Sequence, residues 1–329
     1  MKTETQKAVL CTAWGLPETL VVQNIPRKQP GPNEVAIDVK AAGVNFPDTL
    51  IIQKKYQFQP DLPFSPGGEV AGVVEAVGEG VTHVKPGDRV IASFAWGGFA
   101  TQAIAPAERV VRIPDQMDFT TASAYVLAYG TALYALTLRG KVQPGETVLV
   151  LGAAGGTGIA AIEIAKSLGA RVIAMASTDE KLALCKQHGA DICVNYATEN
   201  FRDRIKEITQ GKGVDVVFDP VGGEYTELAF RSIGWEGRHL VVGFAAGDIP
   251  RVPLNLALLK GASLVGVFWA DYLRRDRAEA ERHMQALMDL YTSGKVNPPV
   301  TQTYPFEDVA KALRSIMNRQ AMGKVVLVP

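Results

Sequence analysis

The sequence predicts an α/β protein, a doubly wound parallel sheet accompanied by a mainly β domain. Three observations carry this. The first ~120 residues are short β-rich runs separated by Pro/Gly clusters. From Thr147 onward the pattern changes to strand, glycine turn and helix, repeated. At 329 residues the chain is too long for one ordinary core and suits two domains.

In the first part, Glu34–Val39, Val70–Val77 and Arg89–Ala92 are β-rich and are bounded by QPGPNE, FSPGGE and KPGD. They alternate in part, and an antiparallel, partly closed β structure is expected. Thr147–Leu151 is a continuous apolar run, as for a parallel strand buried on both faces. A helix is expected over Ile159–Leu168, stopped by Gly169. A strand over Arg171–Ala176 follows, then a helix over Asp179–His188 with Ser177 or Thr178 as N-cap. Ile192–Val194, Val214–Asp219, His239–Gly243 and Ala262–Phe268 complete six strands. The tail predicts a long amphipathic helix near Tyr272–Ser293, another near Phe306–Arg319, and a last strand over Lys324–Val328. The Arg/Glu-rich stretch from Tyr272 reads as a solvated helix face.

Basic and acidic residues number 34 each, so bulk charge gives no case for nucleic acid or an anionic membrane as partner. The longest apolar stretch, Ala122–Leu138, is interrupted by Gly130 and hydroxyl residues. The first fifteen residues lack the apolar run of a secretory leader. Cys11, Cys185 and Cys193 are too few and scattered for a disulfide framework, and a cytoplasmic location is expected.

The strongest local signal runs from Val148 to Gly158. Ala154, Gly155, Gly156, Thr157 and Gly158 stand between a predicted strand and a predicted helix. Glycines there let the backbone approach a pyrophosphate, and the helix start stabilises its charge. Gly155 and Gly158 fill the second and third positions of GxGxxG. The first is Ala153, preceded by Gly152, so the fingerprint is imperfect. An NAD site places a carboxylate at the end of the next strand. Here that end reads Met175-Ala176-Ser177-Thr178, with Lys181 one turn later and Asp179 and Glu180 in the first turn of a helix. Hydroxyls and an ammonium without a repelling carboxylate favour the 2′-phosphate of NADPH.

These segments, with AAGVNFPDTL, PGGEVAGVVEAVG, VKPGDRV, GKGVDVVFDPVGG, GRHLVVGFAAGDIP and GKVVLVP, resemble the zinc-free quinone oxidoreductase branch of the medium-chain dehydrogenase/reductase superfamily over essentially the whole chain. The resemblance implies a Rossmann cofactor domain at residues 126–268, inserted into a GroES-like catalytic domain formed by residues 1–125 and 269–329. In zinc alcohol dehydrogenases a Cys follows the AAGV-like segment and a GHE motif supplies a His. Those places hold Asn45 and Gly68 here, leaving Glu69 alone, so no metal site is expected. Cys185, His188 and Cys193 lie close in sequence, but the first two fall on a predicted helix.

By the same resemblance Asn45, Asp48 and Tyr56 are candidate catalytic residues. Asn45 would donate to a substrate or cofactor oxygen, Asp48 would hold it, and Tyr56 would meet the acceptor. Asn45 and Asp48 also suit a helix cap, and Tyr56 suits packing. Leu50 stands where many members carry a second tyrosine, which makes the pocket more apolar. Thr131, Ser177, Lys181, Tyr196, Gly243, Phe244, Phe268 and Lys324 are implied cofactor contacts, Lys324 reaching phosphate; Thr131 also suits the start of a helix. The implied activity is NADPH-dependent reduction of quinones by hydride or single-electron transfer. Reduction of conjugated C=C bonds in enones or enoyl thioesters is the alternative, and a non-catalytic NADPH-binding protein is the reading from another class. A homodimer joined near Ser263–Phe268 is also implied.

Overall fold

The computed structural model describes residues 4–329. They form two compact units, one running to Leu127 and resuming over Pro298–Pro329, the other spanning Ala128–Asn297.

The first unit opens with strands β1 (Thr5–Leu10) and β2 (Val21–Pro26), paired antiparallel. Then come β3 (Glu34–Val44), helix α1 (Phe46–Ile51), β4 (Glu69–Val77), β5 (Arg89–Ser93), β6 (Gln102–Pro106), β7 (Val110–Arg112) and α2 (Phe119–Ser123). Helix α3 (Val126–Leu133) leads into the second unit. That unit continues with β8 (Thr147–Val150), α4 (Gly156–Ser167), β9 (Arg171–Ala176), α5 (Asp179–Gln187), β10 (Ile192–Asn195) and α6 (Phe201–Ile208). It ends with β11 (Val214–Asp219), α7 (Glu224–Arg231), β12 (Ile233–Val241), α8 (Asn255–Lys260), β13 (Ser263–Gly266), α9 (Trp269–Arg275) and α10 (Arg277–Thr292). The tail returns to the first unit as β14 (Val300–Pro305), α11 (Val309–Met317) and β15 (Lys324–Val328).

In the first unit β3 is the organising strand. One edge pairs with β4 over Val35–Ala42; the other pairs with β6 at Glu34–Asp38 and with β15 at Ala42–Val44. Register shifts near Ala36 and Ala41 bend it between these partners. The sequence reading ended this run at Val39. Pairing with β15, nearly 300 positions away, carries it on to Val44. The sheet is not wholly antiparallel, since β14 and β15 run parallel. Its core is apolar, with Val35, Ile37, Ile52, Val70, Val90, Phe99 and Phe306 buried.

The second unit carries a parallel sheet ordered β10-β9-β8-β11-β12-β13. This is the six-stranded doubly wound arrangement, with all strand C-termini on one side. β12 starts at Ile233, earlier than the sequence suggested, because Glu236 adopts a left-handed conformation (φ 58°) and lets the strand continue through a Gly-rich segment. The expected long helix from Tyr272 is two helices. Asp276 breaks it in extended conformation (φ −141°) and caps α10 by accepting from Glu279 N at 3.1 Å.

Residues 269–297 belong to the second unit, which corrects the boundary expected at 268/269. The packing explains it. His283 on α10 is buried, with Nε2 3.1 Å from Trp269 Nε1 on α9 and 3.1 Å from Gly130 O on α3. Glu163, inside α4, ties down both ends of the unit. It accepts from Tyr129 Oη at 2.6 Å and from Asn297 N at 3.0 Å, and its other oxygen lies 2.7 Å from His188 Nδ1.

Candidate active site

The glycine turn follows β8 as expected and ends at α4. Gly152 takes a left-handed conformation (φ 56°), so it performs the tight turn that Ala153 does not. A Cβ on Gly158 would lie 2.4 Å from Gly152 O and 2.6 Å from Ala153 O, so only glycine lets the helix approach the turn. At Gly155 the space is open, with Gly152 O at 3.4 Å the nearest atom. Gly155 is the N-cap of α4 and no side chain caps the helix. The amides of Gly156, Thr157 and Gly158 therefore head a helix whose positive end is left for an anion. Ala154 is 3% exposed, and its backbone completes the turn.

Loops at the same C-terminal edge bring further predicted residues. Ser177 follows β9, and Thr178 caps α5 by accepting from Lys181 N at 3.3 Å. Lys181 Nζ lies 3.4 Å from Ser177 Oγ, so a hydroxyl and an ammonium meet at the end of β9. Asp179 is turned to Asn195 Nδ2, 2.9 Å away. Tyr196 follows β10, its ring 4.9 Å from that of Tyr225. Gly243 and Phe244 follow β12, and Phe244 lines a hollow of about 220 Å³ with Asp219, Val241, Ile249 and Leu264. Phe268 is 44% exposed at the start of α9, so it is no core aromatic. Thr131 lies inside α3 and not at its start, which removes the helix-capping explanation.

In the first unit Asn45 is the N-cap of α1, and Asp48 Oδ2 accepts from Asn45 N at 2.7 Å. The capping reading of this pair thus holds. Asn45 Nδ2 donates to Glu69 Oε2 at 3.2 Å and to Gly43 O at 3.3 Å, while Asn45 Oδ1 accepts from Lys324 Nζ at 2.5 Å. The side chain is thereby spent on protein partners, and it is not presented as a free donor for substrate. Lys324 differs from expectation in the same way. It is 3% exposed, and its ammonium stands between Asn45 and Glu69 (3.6 Å from Oε2) instead of at a surface where phosphate is met.

Burial pushes Asp48 up to about 7, against the Asn45 amide, the Lys324 charge and the Gly67 amide; the Glu69 charge pushes it further up. Burial also raises Glu69, opposed by Lys324 and by the amides of Leu127 and Val126 at the start of α3. Tyr56 is half-buried against the β core, and burial, then the Asp48 charge, raises its phenol.

Glu69 is the buried acid of this cluster, and sequence reasoning did not place it there. The signal was a lone acid between glycines and valines in PGGEVAGVV, where a strand interior had to bury it. Cys185 is a buried thiol pushed up to about 12 by burial and then by Cys193. His188 is held by Glu163. Among the described residues no group of three or more His, Cys, Asp or Glu side chains is placed to hold a metal ion.

A family model described as "Alcohol dehydrogenase GroES-like domain" matches residues 31–115, and one described as "Zinc-binding dehydrogenase" matches residues 156–288. The chain is 40% identical over 322 residues to "Quinone oxidoreductase-like protein 2" of Mus musculus, covering 98% of this chain and 91% of that protein. It is 34% identical to "Quinone oxidoreductase" of Homo sapiens, covering 98% and 97%. The crystal structure of Escherichia coli quinone oxidoreductase complexed with NADPH superposes with a TM-score of 0.90 at 31% identity, covering 98% and 100% of the two chains. The chain belongs to the medium-chain dehydrogenase/reductase superfamily, in its quinone oxidoreductase branch.

Proposed function

We propose that this protein is an NADPH-dependent, zinc-independent reductase of quinones. The observation that carries the cofactor is the pairing of an uncapped glycine turn at α4 with a hydroxyl and an ammonium at the end of β9. The turn suits a pyrophosphate, and Ser177 with Lys181 suits a 2′-phosphate. The similarity to the E. coli enzyme named as an NADPH complex supports the same reading. Tyr196 and Phe244 border this edge on either side of the sheet centre and would contact the cofactor's two ends.

Zinc does not fit the catalytic unit. Asn45 is a poor zinc ligand, Gly68 offers none, and the Lys324 ammonium beside Asn45 and Glu69 would repel a dication. NADPH, when bound, supplies the hydride. The chain's own residues then orient the acceptor and neutralise charge that develops on its oxygen, which suits acceptors that take hydride readily. Tyr56 is the group we assign to that oxygen. A cytoplasmic location, supported by three free cysteines, and a homodimer joined at β13 belong to the same proposal. The dimer is supported by the exposed apolar side chains Trp235, Leu254, Leu258, Leu259 and Leu264 close to the free edge of the sheet.

The test of the cofactor assignment is Lys181→Glu. It should raise KM for NADPH about tenfold or more and leave KM for NADH nearly unchanged, because only the 2′-phosphate meets the new charge. An unaltered NADPH preference contradicts the assignment.

A further inference from the structure

Asp48, Glu69, Asn45 and Lys324 form one buried cluster in which no residue is more than 8% exposed. It is joined by Lys324 Nζ to Asn45 Oδ1 (2.5 Å), Asn45 Nδ2 to Glu69 Oε2 (3.2 Å) and Asn45 N to Asp48 Oδ2 (2.7 Å). Glu69 Oε1 accepts from Leu127 N at 2.9 Å, at the start of α3. Lys324 and Glu69 are the charged groups that act on Asp48, Lys324 is the one that acts on Glu69, and Asp48 in turn acts on Tyr56.

The charge count is uneven. Two carboxyls face one ammonium in a site closed to water, and a second buried carboxylate without its own cation is costly. One proton shared by the pair removes the imbalance, as in other close carboxyl pairs. Asn45 fixes the geometry because its backbone and side chain bridge both acids and the lysine.

We propose that Asp48 and Glu69 hold one dissociable proton between them, that Lys324 limits the pair to that single proton, and that the pair's charge governs the acidity of Tyr56 during reduction. The last part rests on the quinone-reductase reading; the first two do not. NADPH, when bound, would supply the hydride and its two electrons. The Tyr56 O–H bond breaks as the acceptor's second O–H bond forms, the quinone leaves as the hydroquinone, and the phenolate takes a proton from water. A pair that has lost its proton adds negative charge that makes the Tyr56 phenol a weaker acid. Tyr56 is the catalytic residue, and Asp48, Glu69, Asn45 and Lys324 are positioning residues.

The test is an infrared titration of the cofactor-free protein, following the band of a buried protonated carboxyl between about pH 5 and 9. The wild type should lose one such band near neutrality. Asp48→Asn and Glu69→Gln, both isosteric, each leave one carboxylate facing Lys324, so the transition should move downward from neutrality by at least about one pH unit. Lys324→Met should move it upward by a similar amount. A merely structural role predicts no opposed shifts. If Lys324→Met does not fold, the two amides decide alone: a band still titrating near neutrality in either one overturns the shared proton.

The kinetic arm follows kcat against pH for NADPH-dependent quinone reduction. The proposal expects an alkaline limb near neutrality that moves with the infrared transition in each variant. Opposed infrared shifts without a matching kinetic limb overturn the action on Tyr56 while leaving the shared proton in place. A protein with the infrared shifts but no quinone turnover contradicts the quinone-reductase reading instead.

Discussion

At the scale of single residues, the proposed cofactor turn is defined by what is missing. Gly155 leaves open space above the start of α4, and a branched side chain there would occupy it. Gly155→Val should therefore weaken NADPH binding by at least about a hundredfold, measured by fluorescence titration, with the fold intact by circular dichroism. Retained affinity would contradict the pyrophosphate assignment. The placement of the glycines, Ser177 and Lys181 at the ends of β8 and β9 was legible because it is local, set by one turn and the strand before it. The contacts of Asn45 and Lys324 were not legible. Their partners lie 24 and 255 positions away in Glu69, and no local pattern announces an ammonium beside an amide.

At the scale of elements, α4 is both the proposed cofactor helix and the anchor of its unit. Its first turn carries the glycines, and Glu163 two turns on holds Tyr129 and Asn297, next to the two places where the chain passes between units. Glu163→Ala removes the carboxylate that binds the Tyr129 phenol, the Asn297 amide and the His188 ring. It should destabilise the protein by about 3 kcal/mol, read from the urea unfolding midpoint. A change within about 0.5 kcal/mol would show that water replaces the carboxylate at no cost. Strands β8, β9, β10 and β11 were readable from continuous apolar runs, since strands buried on both faces leave that trace. The break between α9 and α10 was not, because Asp276 inside a charged run looks like one more solvated helix residue until its backbone is seen extended.

At the scale of the whole molecule, fold class and family were plain from motif order. The second boundary was misplaced by about thirty residues because sequence pattern ends a Rossmann unit at its last strand. Burial of Trp269 and His283 instead keeps α9 and α10 with the sheet. The exposed side chains of α8 bear on assembly. Leu258 is 81% exposed, and a charge there should prevent a second copy from docking. Leu258→Glu should convert a dimer to a monomer in light scattering, with little effect on NADPH affinity. A wild-type protein that is monomeric at tens of micromolar would remove the dimer from the account.

The central claim is the reaction, and one assay tests it most directly. NADPH oxidation, with NADH in parallel, is followed against an ortho-quinone, a para-quinone, a linear enone and an enoyl thioester. Rapid turnover of the quinones with NADPH preferred is the predicted result. Turnover of an enone or thioester faster by orders of magnitude, or tight NADPH binding with no acceptor reduced, would contradict it.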